Sequence, residues 1–397
     1  MILDTLRYRA QHLDEQWYFE KLSLYLKDNL PRGIEGLPVP VEGLVLRDVS
    51  RIGGGLYNDV LCLTLSDDQG SPYRLILKTY RPYLNHRIVT YDKEEEHSRY
   101  TREFEALRCL YTNNFPCPNA LLCEPDDRYI GYPFVIMTYE AEVISRAKLG
   151  VKKNANLFLD SYAARLAELH NLQISKVNIK GLSEPSDEFS FARSWPVSLR
   201  YFLNLEPKHK RDVSDLFDRA LDWLDRHADC NPCHSYSILH GDTHPKNSMM
   251  TQNRGLILHD FEDVLIGDPA YDIAKTYHFI KFFNSPNNPD NAERVAQHFL
   301  RKYSENAHSD FKSRLKFYEV VAMLEIVIPF SSSITNPARA YHYHKRKVAP
   351  SVPPLRAPII LLTFPFLHWS FVAQQVSADG ALSWLRYFSN WMKNKIL

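Results

Sequence analysis

The chain has 397 residues, with 48 Lys/Arg against 47 Asp/Glu for a formal net charge of +1, and 45% of it is hydrophobic. That length and apolar share support one large core or two coupled ones, and the near-neutral total excludes a protein drawn to polyanions by its bulk charge. Six cysteines, at 62, 109, 117, 123, 230 and 233, are too sparse for a disulfide-built scaffold.

Taken in chain order, residues 14–29 carry Phe19, Leu22, Leu24 and Leu26 at helical spacing and end at Asn29-Leu30-Pro31. A loop rich in Pro and Gly occupies 31–43. Strand-like text follows at 44–46, 60–65 and 73–78, the last two joined by the turn-forming Asp67-Asp68-Gln69-Gly70-Ser71-Pro72. This predicts an antiparallel meander. A helix is expected over 98–112, and further strands near Leu121 and over 133–137. Beyond Glu140 helical periodicity takes over, at 157–172, 214–227, 291–303 and 314–328, with short strands at 237–239 and 256–258. The layout predicts an α+β fold of two lobes: a small sheet-rich lobe over 1–137, a connector over 138–142 and a larger, mainly helical lobe over 143–397.

The chemistry concentrates between His240 and Ala274. The text reads His240-Gly241-Asp242-Thr243-His244-Pro245-Lys246-Asn247, then Asp260-Phe261-Glu262, then Gly267-Asp268-Pro269 and Asp272-Ile273-Ala274. Phosphoryl transfer needs little covalent chemistry from a protein. It needs an acceptor hydroxyl held in place and phosphate charge neutralised by a divalent cation. A loop Asp that accepts the hydroxyl proton, with an Asn five residues later facing the metal, meets the first need, and Asp242 and Asn247 have that spacing. The second metal ligand is an Asp directly after a strand, and Asp260 follows Leu256-Ile257-Leu258-His259.

With these three elements in order, the chain resembles the aminoglycoside phosphotransferase and choline kinase family, whose members carry H-G-D-x-H-x-x-N, then D-F-E or D-W-E, then G-D-P-x-x-D. Flanking resemblance runs more weakly from about Leu44 to Tyr318. The resemblance implies a bilobal, protein-kinase-like fold that uses ATP, or another nucleoside triphosphate, with Mg2+. It implies Asp242 as catalytic base and Asn247 and Asp260 as magnesium ligands. His240, Asp268 and Asp272 would hold the catalytic loop in shape, and His244 would sit beside the transferring phosphate. Glu262 replaces the Gly of D-F-G, which favours this family over the protein kinases. A non-catalytic member of the family is the competing reading.

The small lobe offers its own candidates. Lys78 ends the third strand-like run, where a phosphate-anchoring Lys belongs. Its partner is assigned to Glu103 in Arg102-Glu103-Phe104, with Glu105 as the fallback. Gly53-Gly54-Gly55-Leu56-Tyr57-Asn58 stands where a phosphate cover is expected, since glycines let backbone N–H groups approach oxygens. It resembles the family's Gly-Gly-x-Ser-Asn, with Asn58 kept and Tyr57 in place of Ser; an ordinary hairpin turn is the alternative. Gly54, Gly55 and Asn58 are thus nucleotide-side candidates, and the backbone of Thr138, Tyr139 and Glu140 would meet the adenine edge. His170, in Leu166-Ala167-Glu168-Leu169-His170, reads as a packed core histidine.

The resemblance implies an acceptor that is a small molecule bearing a hydroxyl, neutral or anionic on the charge distribution, with a cationic aminoglycoside or choline type as the alternative. Residues 301–397 hold 13 Lys/Arg against 5 Asp/Glu, net +8, which leaves −7 for the rest. Within them lies Tyr341-His342-Tyr343-His344-Lys345-Arg346-Lys347, either a solvated surface run, a pocket wall favouring a neutral or anionic acceptor, or a nucleic-acid contact. Cys230-Asn231-Pro232-Cys233-His234 has haem-attachment or zinc spacing, but no second C-x-x-C pair accompanies it, so plain thiols are expected. No basic and then apolar leader opens the chain. The longest apolar stretch, 357–372, contains two prolines and His368 and falls short of a span, reading as a buried hairpin or core strand, or a membrane-surface contact. A cytoplasmic enzyme is the expectation.

Overall fold

A computed structural model describes residues 15–29, 44–54, 58–80, 99–141, 152–205, 211–284, 289–308 and 310–335. Gly55, the basic stretch 341–347, the apolar stretch 357–372 and the last connector residue, Glu142, lie outside the described residues.

Among the described residues the small lobe contains helix α1 (Glu15–Asn29), strands β1 (Val45–Gly54), β2 (Asp59–Ser66) and β3 (Pro72–Thr79), helix α2 (Arg99–Thr112), and strands β4 (Ala120–Glu124) and β5 (Phe134–Thr138). The five strands form one antiparallel sheet in the order β1-β2-β3-β5-β4. Strand alternation decides what each face sees. Leu61, Leu63 and Leu65 of β2, Leu75 and Leu77 of β3, and Phe134 and Ile136 of β5 point to one face. There Tyr18, Leu22, Tyr25 and Leu26 of α1, spaced as one helical stripe, cover them. Ile76 of β3 and Val135 and Met137 of β5 point the other way, toward Ala106, Leu107 and Leu110 of α2. Lys78 has the parity of Ile76, so the pleat alone sends its side chain to the α2 side.

The asparagine at 114 ends the turn after α2 in the left-handed conformation (φ 62°), which Asn tolerates better than most residues. The large lobe contains α3 (Lys152–His170), α4 (Ser190–Leu205), α5 (Arg211–His227), strand pairs β6 (Ser237–Leu239) with β9 (Leu265–Gly267) and β7 (Ser248–Thr251) with β8 (Gly255–Leu258), then α6 (Pro269–Asn284), α7 (Pro289–Ser304) and α8 (Lys312–Thr335). No helix among the described residues is long and apolar enough to cross a membrane.

The small lobe departs from expectation at its first strand. β1 is ten residues long and runs through Gly53 and Gly54, which pair with Val60 and Asp59. The glycine segment is therefore partly strand, with Gly54 its last residue and not a residue of the turn. In the large lobe, α4, α6, β7 and β9 are additions to the elements expected from the sequence. α6 is buried on every side along Pro269–His278, so it shows no amphipathic stripe to read.

His278 of α6 is fully buried, and burial, with Lys281 adding to it, pulls its imidazole down to about 3. The unfolded chain then binds a proton between its ordinary pKa near 6.5 and about 3 that the folded chain does not. Stability contributed by this residue is complete above about 6.5 and is lost as pH falls through that window, at up to about 1.4 kcal/mol per pH unit. Thermal melts of His278→Phe are expected to show a shallower loss of stability between about pH 6.5 and 4 than the wild type.

Candidate active site

The loop between β6 and β7 is held from below by α6. Asp272, fully buried in the first turn of that helix, accepts the backbone N–H groups of His240 (2.7 Å) and Gly241 (3.1 Å). Its backbone oxygen accepts the Thr243 hydroxyl at 2.9 Å, and Lys275 Nζ donates to the Gly241 carbonyl at 2.7 Å. His170 Nε2 lies 3.2 Å from the Asp272 carboxylate while its Nδ1 meets the Tyr303 hydroxyl at 2.7 Å. His170 is thus buried as expected, yet it also steadies the carboxylate under the loop. Gly241 has φ +80°, and a Cβ there would lie 1.9 Å from the Asp263 carbonyl oxygen, so the loop's glycine is dictated by both conformation and space.

Above this base, Asn247 Nδ2 donates to the Asp242 carbonyl (2.9 Å) and to its carboxylate Oδ2 (3.0 Å). His244 Nε2 lies 3.7 Å from the same oxygen, and His244 Nδ1 accepts the Lys246 N–H. His240 Nδ1 accepts the Asp242 N–H at 3.3 Å, so Nε2 carries the proton donated to the His259 carbonyl at 3.0 Å. The His259 N–H in turn donates to the Asn247 carbonyl at 3.0 Å. Backbone contacts at His259 therefore fasten the Asp242–Asn247 pair to Asp260. Asp260 itself is left-handed (φ 70°), an uncommon state for a non-glycine residue that is concentrated at functional sites.

Asp260 faces the small lobe. Lys78 Nζ lies 2.5 Å from Asp260 Oδ1, 2.6 Å from Glu103 Oε2 and 3.4 Å from Glu262 Oε2. Burial alone would pull the ammonium down, but Asp260, Glu103 and Glu262 more than offset it, and its pKa stands well above the ordinary lysine value. Burial pushes the Glu103 carboxyl up, against the pull of Lys78. Glu103 is buried and Glu105 only half-buried, which resolves the choice between them: Glu103 meets the lysine. Tyr80 also donates to Glu103, at 2.5 Å.

Other candidates fall in different places. Asn58 Nδ2 donates to Glu262 Oε2 at 2.9 Å, so its amide is engaged with the large lobe. Asp268 is committed to the helices behind the loop. Its carboxylate caps α6 at the Ala270 N–H and takes a bidentate pair from Arg314 of α8, at 2.5 and 3.1 Å, with both partners buried. Asp268→Ala strands a buried guanidinium, with an expected cost of about 3–5 kcal/mol measurable by denaturant titration. Thr138 pairs with Asn119 through its backbone and hydroxyl, Tyr139 packs under Arg74, and Glu140 lies 3.4 Å from Arg254. Arg254, on the β7–β8 turn, also donates to the Phe115 and Cys117 carbonyls and so ties the large lobe to the segment beside the connector.

Sequence reasoning missed Tyr80, Arg99, Arg254 and Lys275, and with them the hold of His170 on Asp272. None belongs to a local motif; each is placed by a contact distant in the chain. Cys233 is buried with its thiol on the Ser235 carbonyl, Cys230 is exposed, and His234 pairs with Glu188 at 2.7 Å. Among the described residues, the group whose spacing could hold a metal ion is Glu103, Asp260 and Glu262.

The fold is similar to that of solved phosphotransferases. A protein of Ralstonia eutropha JMP134 assigned as an aminoglycoside phosphotransferase superposes with TM-score 0.53 at 15% identity, covering 93% of this chain and 98% of that one. An ethanolamine kinase of Plasmodium vivax gives TM-score 0.53 at 15% identity, covering 87% and 90%. A thermostable mutant of aminoglycoside phosphotransferase APH(4)-Ia, in ternary complex with ADP and hygromycin B, gives 0.50 at 16%, covering 77% and 96%. A search of curated proteins found no match. The sequence profile of the phosphotransferase enzyme family matches residues 48–310, and the chain belongs to that family, with its bilobal kinase-like fold.

Proposed function

We propose that the protein transfers the γ-phosphoryl group of ATP, with Mg2+, to a hydroxyl of a small-molecule acceptor that is neutral or anionic. The observation that carries this reading is the contact of one buried lysine, Lys78, with both Glu103 of the small lobe and Asp260 of the large one. In this reading Lys78 is the phosphate-anchoring cation and Asp260 the metal-binding carboxylate, and their contact supports it. In this reading the nucleotide lobe is 1–137, the connector 138–142 offers backbone to the adenine, and 143–397 carries the catalytic loop and acceptor site in a cytoplasmic enzyme.

The donor set suits magnesium. Asp260 offers a partly exposed carboxylate, and Asn247 has its Nδ2 committed to Asp242, which leaves an amide oxygen, the hard ligand such an ion takes. Asp260 and Asn247 would hold the ion, which would supply charge neutralisation for the transferring phosphoryl group. Asp242, oriented by Asn247, accepts the acceptor's hydroxyl proton; His244, on the same carboxylate, stands beside the phosphate; and Lys78, kept charged, holds the phosphates of the nucleotide.

The basic excess of 301–397 favours an acceptor without positive charge, such as a sugar, polyol, nucleoside or phosphorylated metabolite. The similarly folded APH(4)-Ia binds hygromycin B, so a cationic acceptor is the outcome to test against. The test is an ADP-release screen with Mg-ATP over acceptors sorted by charge. Turnover confined to neutral and anionic acceptors is expected, and a higher kcat/KM for aminoglycosides or choline would overturn the acceptor assignment.

A further inference from the structure

Glu262 gathers three segments of the small lobe onto one oxygen. Its side chain is only 9% exposed, and its Oε2 accepts Arg99 Nη2 at 2.7 Å and Asn58 Nδ2 at 2.9 Å, with Lys78 Nζ at 3.4 Å. Each donor belongs to a different element. Asn58 closes the segment Gly53–Asn58 and precedes β2, Arg99 is the first residue of α2, and Lys78 lies near the end of β3. Glu262 itself stands two residues beyond Asp260. A carboxylate oxygen so occupied is poorly placed to add a metal ligand, and well placed to fix the relative positions of its donors.

Asn58 supplies the second observation. It is 7% exposed, its Oδ1 has no hydrogen-bond partner among the described residues, and its amide is oriented through the bond to Glu262. A buried polar side chain with one end unsatisfied contributes little to stability and marks a position kept for another purpose. Arg99 lies on α2 one helical turn before Glu103, so the bond that seats Arg99 also sets where Glu103 meets Lys78.

We propose that Glu262 is a positioning residue for nucleotide binding: it fixes Asn58, at the entry to β2, beside Lys78, and through Arg99 it registers α2 so that Glu103 meets Lys78. The proposal rests on the phosphotransferase reading above. Its test is a charge cycle across the 58–262 contact, read as KM and kcat for ATP beside a thermal melt of each variant. Asn58→Ala is expected to raise the KM for ATP about 10-fold and Asn58→Asp, which sets like charge against Glu262, about 100-fold, with kcat at saturating nucleotide changed less than KM. Glu262→Gln keeps an acceptor oxygen and removes the charge, so the Asn58→Asp/Glu262→Gln pair is expected to recover most of the affinity that Asn58→Asp loses. A purely structural role would lower the melting temperature without this rescue.

Asn58→Asp no worse than Asn58→Ala, or no relief from Glu262→Gln, overturns the proposal. So does a collapse of kcat at unchanged KM, which would place Glu262 on the reacting groups. Wild-type protein that fails to bind Mg-ATP overturns the phosphotransferase reading itself, whereas normal wild-type binding with independent mutant effects overturns the Glu262 proposal alone.

Discussion

Asp242→Asn is expected to lower kcat by about 10²–10⁴-fold, the usual share of a positioned general base, with the nucleotide dissociation constant staying close to the wild-type value. The asymmetry follows from where the two acidic residues lie. The Asp242 carboxylate is bonded to Asn247 and approached by His244, both on the loop between β6 and β7. Asp260 instead lies against Lys78 at 2.5 Å, at the junction of the lobes. Asp260→Ala therefore removes both a proposed magnesium ligand and the counter-charge of a buried lysine, and turnover disappears together with tight Mg-ATP binding. Steady-state kinetics beside a nucleotide titration separates the two. Equal loss of ATP affinity in both variants would contradict the division of roles.

Gly241→Ala is expected to be strongly damaging for a single-methyl change. Its φ of +80° costs an L-residue about 1–2 kcal/mol, and the new methyl would sit 1.9 Å from the backbone oxygen of Asp263, an overlap that forces a shift typically costing about 1–3 kcal/mol more. The neighbour that must move is main chain, one residue from Glu262, so the disturbance reaches Asp260 as well as Asp242. Gly181→Ala is the control. Gly181 has a similar φ of +85°, but a Cβ there would meet no described atom within 4 Å, so it carries the conformational cost alone. Denaturant unfolding of the two variants should differ by the steric part, and only Gly241→Ala should lose activity.

The centre of this arrangement is legible because its residues sit in one short run. Asp242, Asn247 and Asp260 are separated by loop and strand signals that survive in a single sequence. Lys78 is legible because strand alternation fixes its face. Glu103 emerges only as one of two choices: 103 and 105 both lie on a helix, and the sheet that decides between them is contributed by residues far away in the chain. Arg99, Tyr80, Lys275 and Arg254 leave no local trace at all, since each bonds to a partner at least 23 residues distant. Elements show the same division. The helices α1, α5 and α7 are predicted nearly to their ends, while α6 lacks a polar face to betray it and α4 carries Pro196 inside it. β7 and β9, at four and three residues, are too short for alternation to register.

Magnesium-linked binding of ATP tests the central claim without knowledge of the acceptor. Titrating ATP into wild-type protein and Asp260→Ala, each with and without Mg2+, reads the coupling between metal and nucleotide directly. The wild type should bind ATP more tightly by at least about 10-fold when Mg2+ is present, and Asp260→Ala should lose that gain. ATP affinity indifferent to Mg2+ in the wild type, or a gain undiminished in Asp260→Ala, would contradict a phosphoryl-transfer centre at this cleft.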